Sequence, residues 1–420
     1  MTVKHVVAAA SPDNNFAVLT NLLDSATESI HTSVYQLDNL AIGEAYERAL
    51  GRGVKVQILL EGSPIPKIPQ AELYIAKRLT SRGAKVHFYD RAKDSDRGTR
   101  TFKYFHNKFT VVDGRRAIVG SANYGNNGHP VDNSFGNREW EVVLDDSNAA
   151  QLFDEAFNHD RGLTGEWAAY GSSPRYKADP SFDPSQPKTR SGHYEARLEP
   201  FDAYDVPTKT VFAPENSLDD SPMLAVLEHA QETVDVEQLN LETYWGGKPY
   251  NPETEDSPLI KSLLSLARAG KAVRILLNND AVFHEPQPKP LAGVLDLMAL
   301  FDELPEHLFR GVDDDSDDEP KPKRDNYATR EYLGKIAQRE NLRIAVRLLD
   351  FKNCGLGVLH NKAMIVDGNV TFVSSLNWGE SPMKFNREAG VLLKSSPIAT
   401  YYSKAFEYDW RCSGRPRSFF

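Results

Sequence analysis

Two segments of the chain carry the same polar residues at the same spacing. His106-Asn107-Lys108 runs on to Asp113-Gly114, and His360-Asn361-Lys362 runs on to Asp367-Gly368. Each segment therefore holds an imidazole, an ammonium two residues on and a carboxylate seven residues on. Ser121 and Asn123 lie 15 and 17 residues after His106, and Ser375 and Asn377 keep the same offsets from His360. Imidazole, ammonium, hydroxyl and carboxamide, with no cysteine or metal-ligand set beside them, suit an anionic tetrahedral group. Lysine, serine and asparagine donate to its outer oxygens, and histidine supplies a nucleophile or a proton. Neither a metal nor a cofactor is expected.

Asp113-Gly114 and Asp367-Gly368 each separate two apolar, β-prone runs, a strong hairpin signal. A two-residue turn sets Val112 opposite Arg115. Counted outward, it sets His106 opposite Ser121 and His360 opposite Ser375, with Lys108 and Asn123 on the same faces by strand alternation. Each segment has one histidine, whereas displacement at phosphorus needs attack on one side and leaving-group protonation on the other. Two such patches facing one another make a complete site. Downstream, Asn137-Arg138-Glu139 is repeated as Asn386-Arg387-Glu388. Glu139 and Glu388 are expected to accept the second imidazole N–H and favour the imidazolium; the alternative is a surface salt bridge from each to its adjacent arginine. Asp113 and Asp367, at the turns, are expected to be structural.

The repetition extends to whole halves. Ala26-Thr27-Glu28-Ser29-Ile30 matches Ala230-Gln231-Glu232-Thr233-Val234, Gly53 to Leu60 matches Gly270 to Leu277, and Ala156-Phe157-Asn158-His159-Asp160 matches Ala405-Phe406-Glu407-Tyr408-Asp409. A helical pattern, a β-rich run, a second helix and an apolar strand recur in that order. The expected fold is α/β: two similar αβαβ halves with mixed β-sheets flanked by helices, related by an internal pseudo-twofold. The divisions expected are 1–162, a proline-rich linker or covering loop at 163–207, and 208–420. Insertions near 245–258 and 304–330 border the site, the second with a solvated acidic run, Asp313 to Glu319, that lacks the glycine and glutamate of a calcium loop.

These residues resemble the phospholipase D superfamily, whose signature is His-x-Lys-x4-Asp followed by Gly/Ser-Ser-x-Asn. The chain reads Gly120-Ser121-Ala122-Asn123 in the first copy and Ser374-Ser375-Leu376-Asn377 in the second. The resemblance covers roughly 15–160 and 220–411. It implies a metal-independent phosphodiesterase with a phosphohistidine intermediate: His106 attacks, and His360 protonates the leaving alcohol and then activates water or an acceptor alcohol. Lys108, Lys362, Asn123 and Asn377 would bind phosphate oxygens, supported by Ser121 and Ser375. A phospholipid substrate is the first expectation, a DNA or RNA phosphodiester the second, and an inactive anion-binding scaffold the third.

Composition narrows the rest. The 420 residues, 40% hydrophobic and 26% charged, are those of a folded globular chain, long enough for roughly two to three domains. The net charge of −10 argues against coating nucleic acid by bulk positive charge. A basic and aromatic stretch at 91–108 is nevertheless a candidate lip, able to stack bases or to make peripheral contact with a lipid surface. Cys354 and Cys412 allow one bridge without requiring it. No apolar run approaches a membrane span. The short apolar stretch after Lys4 is too brief for a leader, so the cytoplasm is expected, with a secreted mature form as the alternative. Because one chain carries both half-sites, a monomer is expected to suffice. His87, His129, His159 and His307 lack such company and are expected to be structural or superficial.

Overall fold

The computed structural model describes residues 1–65, 67–90, 101–132, 135–185, 194–195, 197–246, 256–283 and 325–414. Much of the basic and aromatic lip (91–100), both insertions for the most part, and the acidic run lie outside these. So does His307.

The strands of the first half are β1 (Thr2–Ser11), β2 (Ser29–Val34), β3 (Lys55–Glu61), β4 (Lys85–Tyr89), β5 (Lys108–Val112), β6 (Arg116–Gly120), β7 (Glu139–Asp145) and β8 (Trp167–Ala169). Those of the second are β9 (Phe201–Ala213), β10 (Thr233–Gln238), β11 (Ala272–Leu277), β12 (Ile344–Leu348), β13 (Lys362–Val366), β14 (Val370–Ser374) and β15 (Glu388–Lys394). Outward from the centre the first half runs β1-β7-β6-β5-β2-β3-β4, with β8 on the edge, and the second runs β9-β15-β14-β13-β10-β11-β12. The two orders correspond strand for strand. They join where β1 and β9 pair antiparallel, from Thr2 opposite Pro207 to Ala8 opposite Phe201.

In the repeated part of each half the three outer strands are parallel and the inner ones antiparallel, and β8 adds an antiparallel edge to the first half. Parallel neighbours need a crossover, and the repeated helices supply it. Helix Leu40–Gly51 starts where the Asn39 side chain accepts the N–H groups of Ala41 and Ile42. Its counterpart Pro258–Arg268 starts on Ser257, which accepts the Ile260 N–H. Both chains then turn through glycine in the left-handed region, Gly53 at φ 89° and Gly270 at φ 82°, and enter an apolar strand.

Two differences from the sequence reading matter. The pairing strands β1 and β9 are absent from the expected αβαβ plan, and residues 163–207 are not simply a covering loop. They contain β8, which extends the sheet beside β4, and the beginning of β9, which joins the halves. The hairpins also pair one residue later than a two-residue turn dictates: Val112 lies opposite Arg116, and Val366 opposite Val370. Asp113 and Gly114 both adopt positive φ, and Arg115 is left over before the ladder begins. One residue of slip moves every partner assignment counted from the turn.

Asp113 and Asp367 have the turn role expected of them. Asp113 accepts the backbone N–H groups of Thr27, Glu28 and Ser29, and Asp367 those of Gln231, Glu232 and Thr233. Each carboxylate thus ties its hairpin to the start of the neighbouring strand. Burial works to raise both, but the converging N–H donors outweigh it and hold them below the usual carboxylate range.

One core crosses the pseudo-twofold. Phe109, Trp140, Phe153 and Phe157 pack with Ile365, Tyr402 and Phe406 in a single buried cluster. Helix Ser147–Arg161 of one half and helix Ser396–Cys412 of the other supply half of its buried aromatic residues. Trp140 and Tyr402 stack with ring centres 4.4 Å apart, and the Tyr402 hydroxyl donates to the Glu141 carbonyl at 2.6 Å.

Cys354 and Cys412 are joined, closing a loop of 58 residues between the segment leading into His360 and the end of the last helix. Chain entropy for such a loop corresponds to about 4 kcal/mol. Replacing both cysteines by serine is expected to lower the unfolding free energy by roughly 3 to 4 kcal/mol, measured by urea titration. Equal midpoints for the two proteins would show that the bond adds no stability.

Candidate active site

The two His-Asn-Lys segments enter the site as the chain approaches β5 and β13. Neither histidine lies within the ladder, because the strands begin at Lys108 and Lys362. Each histidine is instead held by backbone from the other half. His106 N–H donates to the Arg387 carbonyl at 2.9 Å, and His360 N–H to the Arg138 carbonyl at 3.1 Å. The Asn-Arg-Glu segments therefore lie beside the histidines of the opposite half.

The side chains cross in the same way. His106 Nδ1 meets the Glu388 carboxylate at 2.8 Å, and His360 Nδ1 meets the Glu139 carboxylate at 2.8 Å. With Nδ1 taken in both rings, Nε2 is the nitrogen left for chemistry. The rings keep 13% and 14% of their side-chain surface exposed, whereas Glu139 and Glu388 keep almost none. Substrate can reach imidazole but not carboxylate. A surface pairing of each glutamate with its adjacent arginine is excluded by this burial. The arginines have other partners: Arg138 binds Asp13 and Asp409, and Arg387 binds Asp160 and Glu215.

Ser121 and Ser375 are completely buried and donate to the glutamates, Ser121 Oγ to Glu139 and Ser375 Oγ to Glu388, each at 2.6 Å. This differs from their expected place opposite the histidines, with the hydroxyl turned to phosphate. The one-residue shift in register sets them level with the asparagines that follow the histidines. Asn137 and Asn386 also donate to Glu139 and Glu388, at 3.4 and 3.1 Å. Asn123 and Asn377 are partly exposed, and any contact with phosphate would come from their Nδ2 donors; their Oδ1 atoms are buried with no hydrogen-bond partner among the described residues.

Lys108 and Lys362 are buried, and their ammoniums donate to the carbonyls of His106 and His360. Burial is the main force on them, pulling both down to about 7 against Glu139 and Glu388. Burial also carries His106 down to about 4 against the pull of Glu388, with Lys108 and Lys362 adding to the depression. His360 moves in the same direction for the same reason, opposed by Glu139. Burial raises Glu139 and Glu388, but the facing histidine and lysine outweigh it and hold both carboxyls below their usual range. Lysine from either half acts on both histidines, so the cations share one field.

Tyr35 was not singled out by the sequence. Its ring meets His106 edge-on at 4.9 Å and lies 5.3 Å from the Lys108 ammonium. Leu239 occupies the matching position in the second half, so the repeat gave no signal for it. Of the other histidines, His129 is buried against Glu141 at 2.9 Å, His87 lies on β4, and His159 is largely exposed.

The family described as "Cardiolipin synthase, PLD-like domain" matches residues 19–161 and 223–410. A phospholipase D of Rickettsia conorii is 31% identical over 106 residues, which span 25% of this chain and 46% of that protein. A cardiolipin synthase B of Salmonella typhi is 37% identical over 78 residues, 18% of each. The chain thus matches about half the length, or less, of these curated relatives. The crystal structure of phosphatidylserine synthase from Haemophilus influenzae Rd KW20 superposes with a TM-score of 0.62 at 12% identity, covering 97% of this chain and 87% of that one. This last likeness is one of fold. With the family match spanning both halves and the histidine of each His-x-Lys-x4-Asp segment paired with a glutamate of the other half, the chain belongs to the phospholipase D superfamily.

Proposed function

We propose that the protein is a phosphodiesterase of phospholipase D type that works through a phosphohistidine and hydrolyses or transfers phospholipid headgroups. The observation that carries the chemistry is the crossed pairing of His106 with Glu388 and His360 with Glu139, which leaves two Nε2 atoms for one phosphoryl group. In the first step the His106 Nε2 lone pair attacks phosphorus. The bond to the leaving oxygen breaks, and that oxygen takes the Nε2 proton of His360. Water or an alcohol then returns a proton to His360 Nε2 and attacks phosphorus, and the P–N bond breaks. Glu388 stabilises positive charge developing on His106, and Glu139 holds His360 in the tautomer that exchanges its proton at Nε2. Lys108, Lys362, Asn123 and Asn377 bind the outer oxygens; Ser121 and Ser375 orient the glutamates.

The relatives named phospholipase D and cardiolipin synthase support phospholipid as the substrate class, as does the acidic net charge. The test incubates the protein with mixed phospholipid vesicles and, separately, with single- and double-stranded nucleic acids, with chelator present throughout. Headgroup release without nucleic-acid cleavage is expected. Cleavage of nucleic acid alone would replace the lipid reading, and activity on neither would leave an anion-binding scaffold. Chelator is expected to do little, because ammoniums and carboxamides bind the phosphoryl oxygens. The site is complete within one chain, which supports activity as a monomer. The buried Cys354–Cys412 bond supports an oxidising compartment over the cytoplasm.

The lysines set a pH dependence. In the free enzyme their ammoniums are lost as pH rises through about 7, so kcat/KM is expected to fall above that value. Bound phosphodiester favours the ammonium form, so the alkaline limb of kcat should lie at higher pH. Replacing both, Lys108→Arg with Lys362→Arg, should move the kcat/KM limb upward, since either lysine left in place still loses its proton near 7. Coincident, unmoved limbs would show that the lysines do not govern it.

A further inference from the structure

The two half-sites differ at one buried position. β2 and β10 set Ser33 and Glu237 at the same register point, opposite Phe109 and Ala363 and one step from the residues opposite the lysines. Both are buried, Ser33 fully and Glu237 at 1% exposure, and each touches the asparagine that follows a histidine. In the first half the Ser33 hydroxyl donates to Asn107 Oδ1 at 3.0 Å, and Asn107 Nδ2 has no partner among the described residues. In the second half the amide is turned round: Asn361 Nδ2 donates to Glu237 Oε2 at 2.9 Å. Asn361 Oδ1 therefore faces the other half, where it accepts the Trp140 N–H at 3.0 Å and lies 3.3 Å from Ser121 Oγ. Ser121 is the residue that holds Glu139, and Glu139 holds His360.

We propose that Glu237 is a positioning residue for His360, acting through Asn361, Trp140 N–H, Ser121 and Glu139, and that it makes the two histidines inequivalent. The proposal deepens the phosphodiesterase reading and rests on it. Serine at the matching place accepts nothing from Asn107 and leaves that carboxamide unanchored at its nitrogen. An acceptor at 237 fixes the orientation of Asn361, and so the seat of the glutamate that aligns His360. Burial pushes the Glu237 carboxyl up to about 8, with Asp409 adding to the rise and Arg138 opposing it. Near neutral pH glutamine is therefore close to it in charge as well as shape.

The test uses bis(p-nitrophenyl) phosphate, whose leaving group departs as the phenolate without help from an acid. Attack by His106 then proceeds, while hydrolysis of the phosphohistidine still needs His360 as base. Glu237→Met, which has no strong acceptor, is expected to release one equivalent of nitrophenolate per enzyme in a burst and then turn over about 10- to 100-fold more slowly than wild type. Glu237→Gln retains the acceptor for Asn361 and should restore turnover to within about threefold of wild type, since the bond is kept. Wild-type turnover in Glu237→Met overturns the proposal. So does a burst reduced in size with the rate per remaining site unchanged, which marks loss of folded protein alone. An inactive wild type, with no phosphohistidine formed, would overturn the phosphodiesterase reading itself.

Discussion

His106→Ala and His360→Ala are each expected to lower kcat by about 10⁴-fold or more, and the double variant to be little worse than either, because residues that act as a unit lose their effect together. The crossed geometry explains the scale. Each ring is aligned by a carboxylate from the other half, so nothing within its own half can substitute for it. The variants should differ in what accumulates. On a substrate with an activated leaving group, His360→Ala retains the His106 nucleophile and is expected to trap labelled phosphate on it. His106→Ala leaves no nucleophile and should trap none. Quenching each reaction under alkaline conditions, where phosphohistidine survives, and counting bound label reads the difference directly. Activity within tenfold of wild type in either variant would remove that histidine from the chemistry. Label trapped in His106→Ala but not in His360→Ala would reverse their order.

What could be read from the sequence is what a repeat encodes. Matching offsets from His106 and His360 named the serines and the asparagines, the repeated Asn-Arg-Glu named the glutamates, and the recurrence of helix and strand patterns gave two αβαβ halves. A repeat shows which residues are equivalent. It does not show which ones touch. Glu139 was a natural partner for the histidine nearest in sequence, yet it serves His360, because the Asn-Arg-Glu segment runs beside the chain entering β13. The serine positions failed for a different reason: the register was counted from a two-residue turn, and the leftover Arg115 displaced every pair. β1 was obscured because its short Val-Val-Ala-Ala-Ala run is weighed only as a leader, for which it is too brief, and β9 because it begins within a proline-rich segment. Residues unique to one half, such as Tyr35 and Glu237, carried no signal at all.

The same limit hid the contacts that hold the halves together, and these give the largest expected stability effect. Asp160 and Asp409 appear in the sequence as matching ends of the two repeats. In the structure each receives the arginine of the opposite half. Arg138 places Nε 2.6 Å from Asp409 and Nη1 3.0 Å from Asp13, and it donates further to the Ser11 carbonyl and the Tyr194 hydroxyl. Arg387 binds Asp160 at 2.7 Å and Glu215 at 2.6 Å. Arg138, Asp13 and Asp409 are all essentially inaccessible, whereas Glu215 is half-exposed. Removing the arginine leaves buried carboxylate charge without its counter-ion, at a cost of about 3 to 5 kcal/mol, although Asp13 keeps its hydrogen bonds from the Tyr194 hydroxyl and the Arg197 and Leu198 N–H groups. Arg138→Met is therefore expected to destabilise the protein by that amount, and Arg387→Met by less, since Glu215 can turn to water. Chemical denaturation followed by far-ultraviolet circular dichroism measures both. Adding Asp409→Leu to Arg138→Met removes one stranded charge and should recover part of the loss, a non-additivity that a double-mutant cycle reports. Because the Arg138 side chain anchors the backbone whose carbonyl holds the His360 N–H, releasing that anchor should lower turnover even where the single variant remains folded. Equal destabilisation by the two arginine variants, or strict additivity in the cycle, would show that burial of the cluster does not govern how the halves are joined.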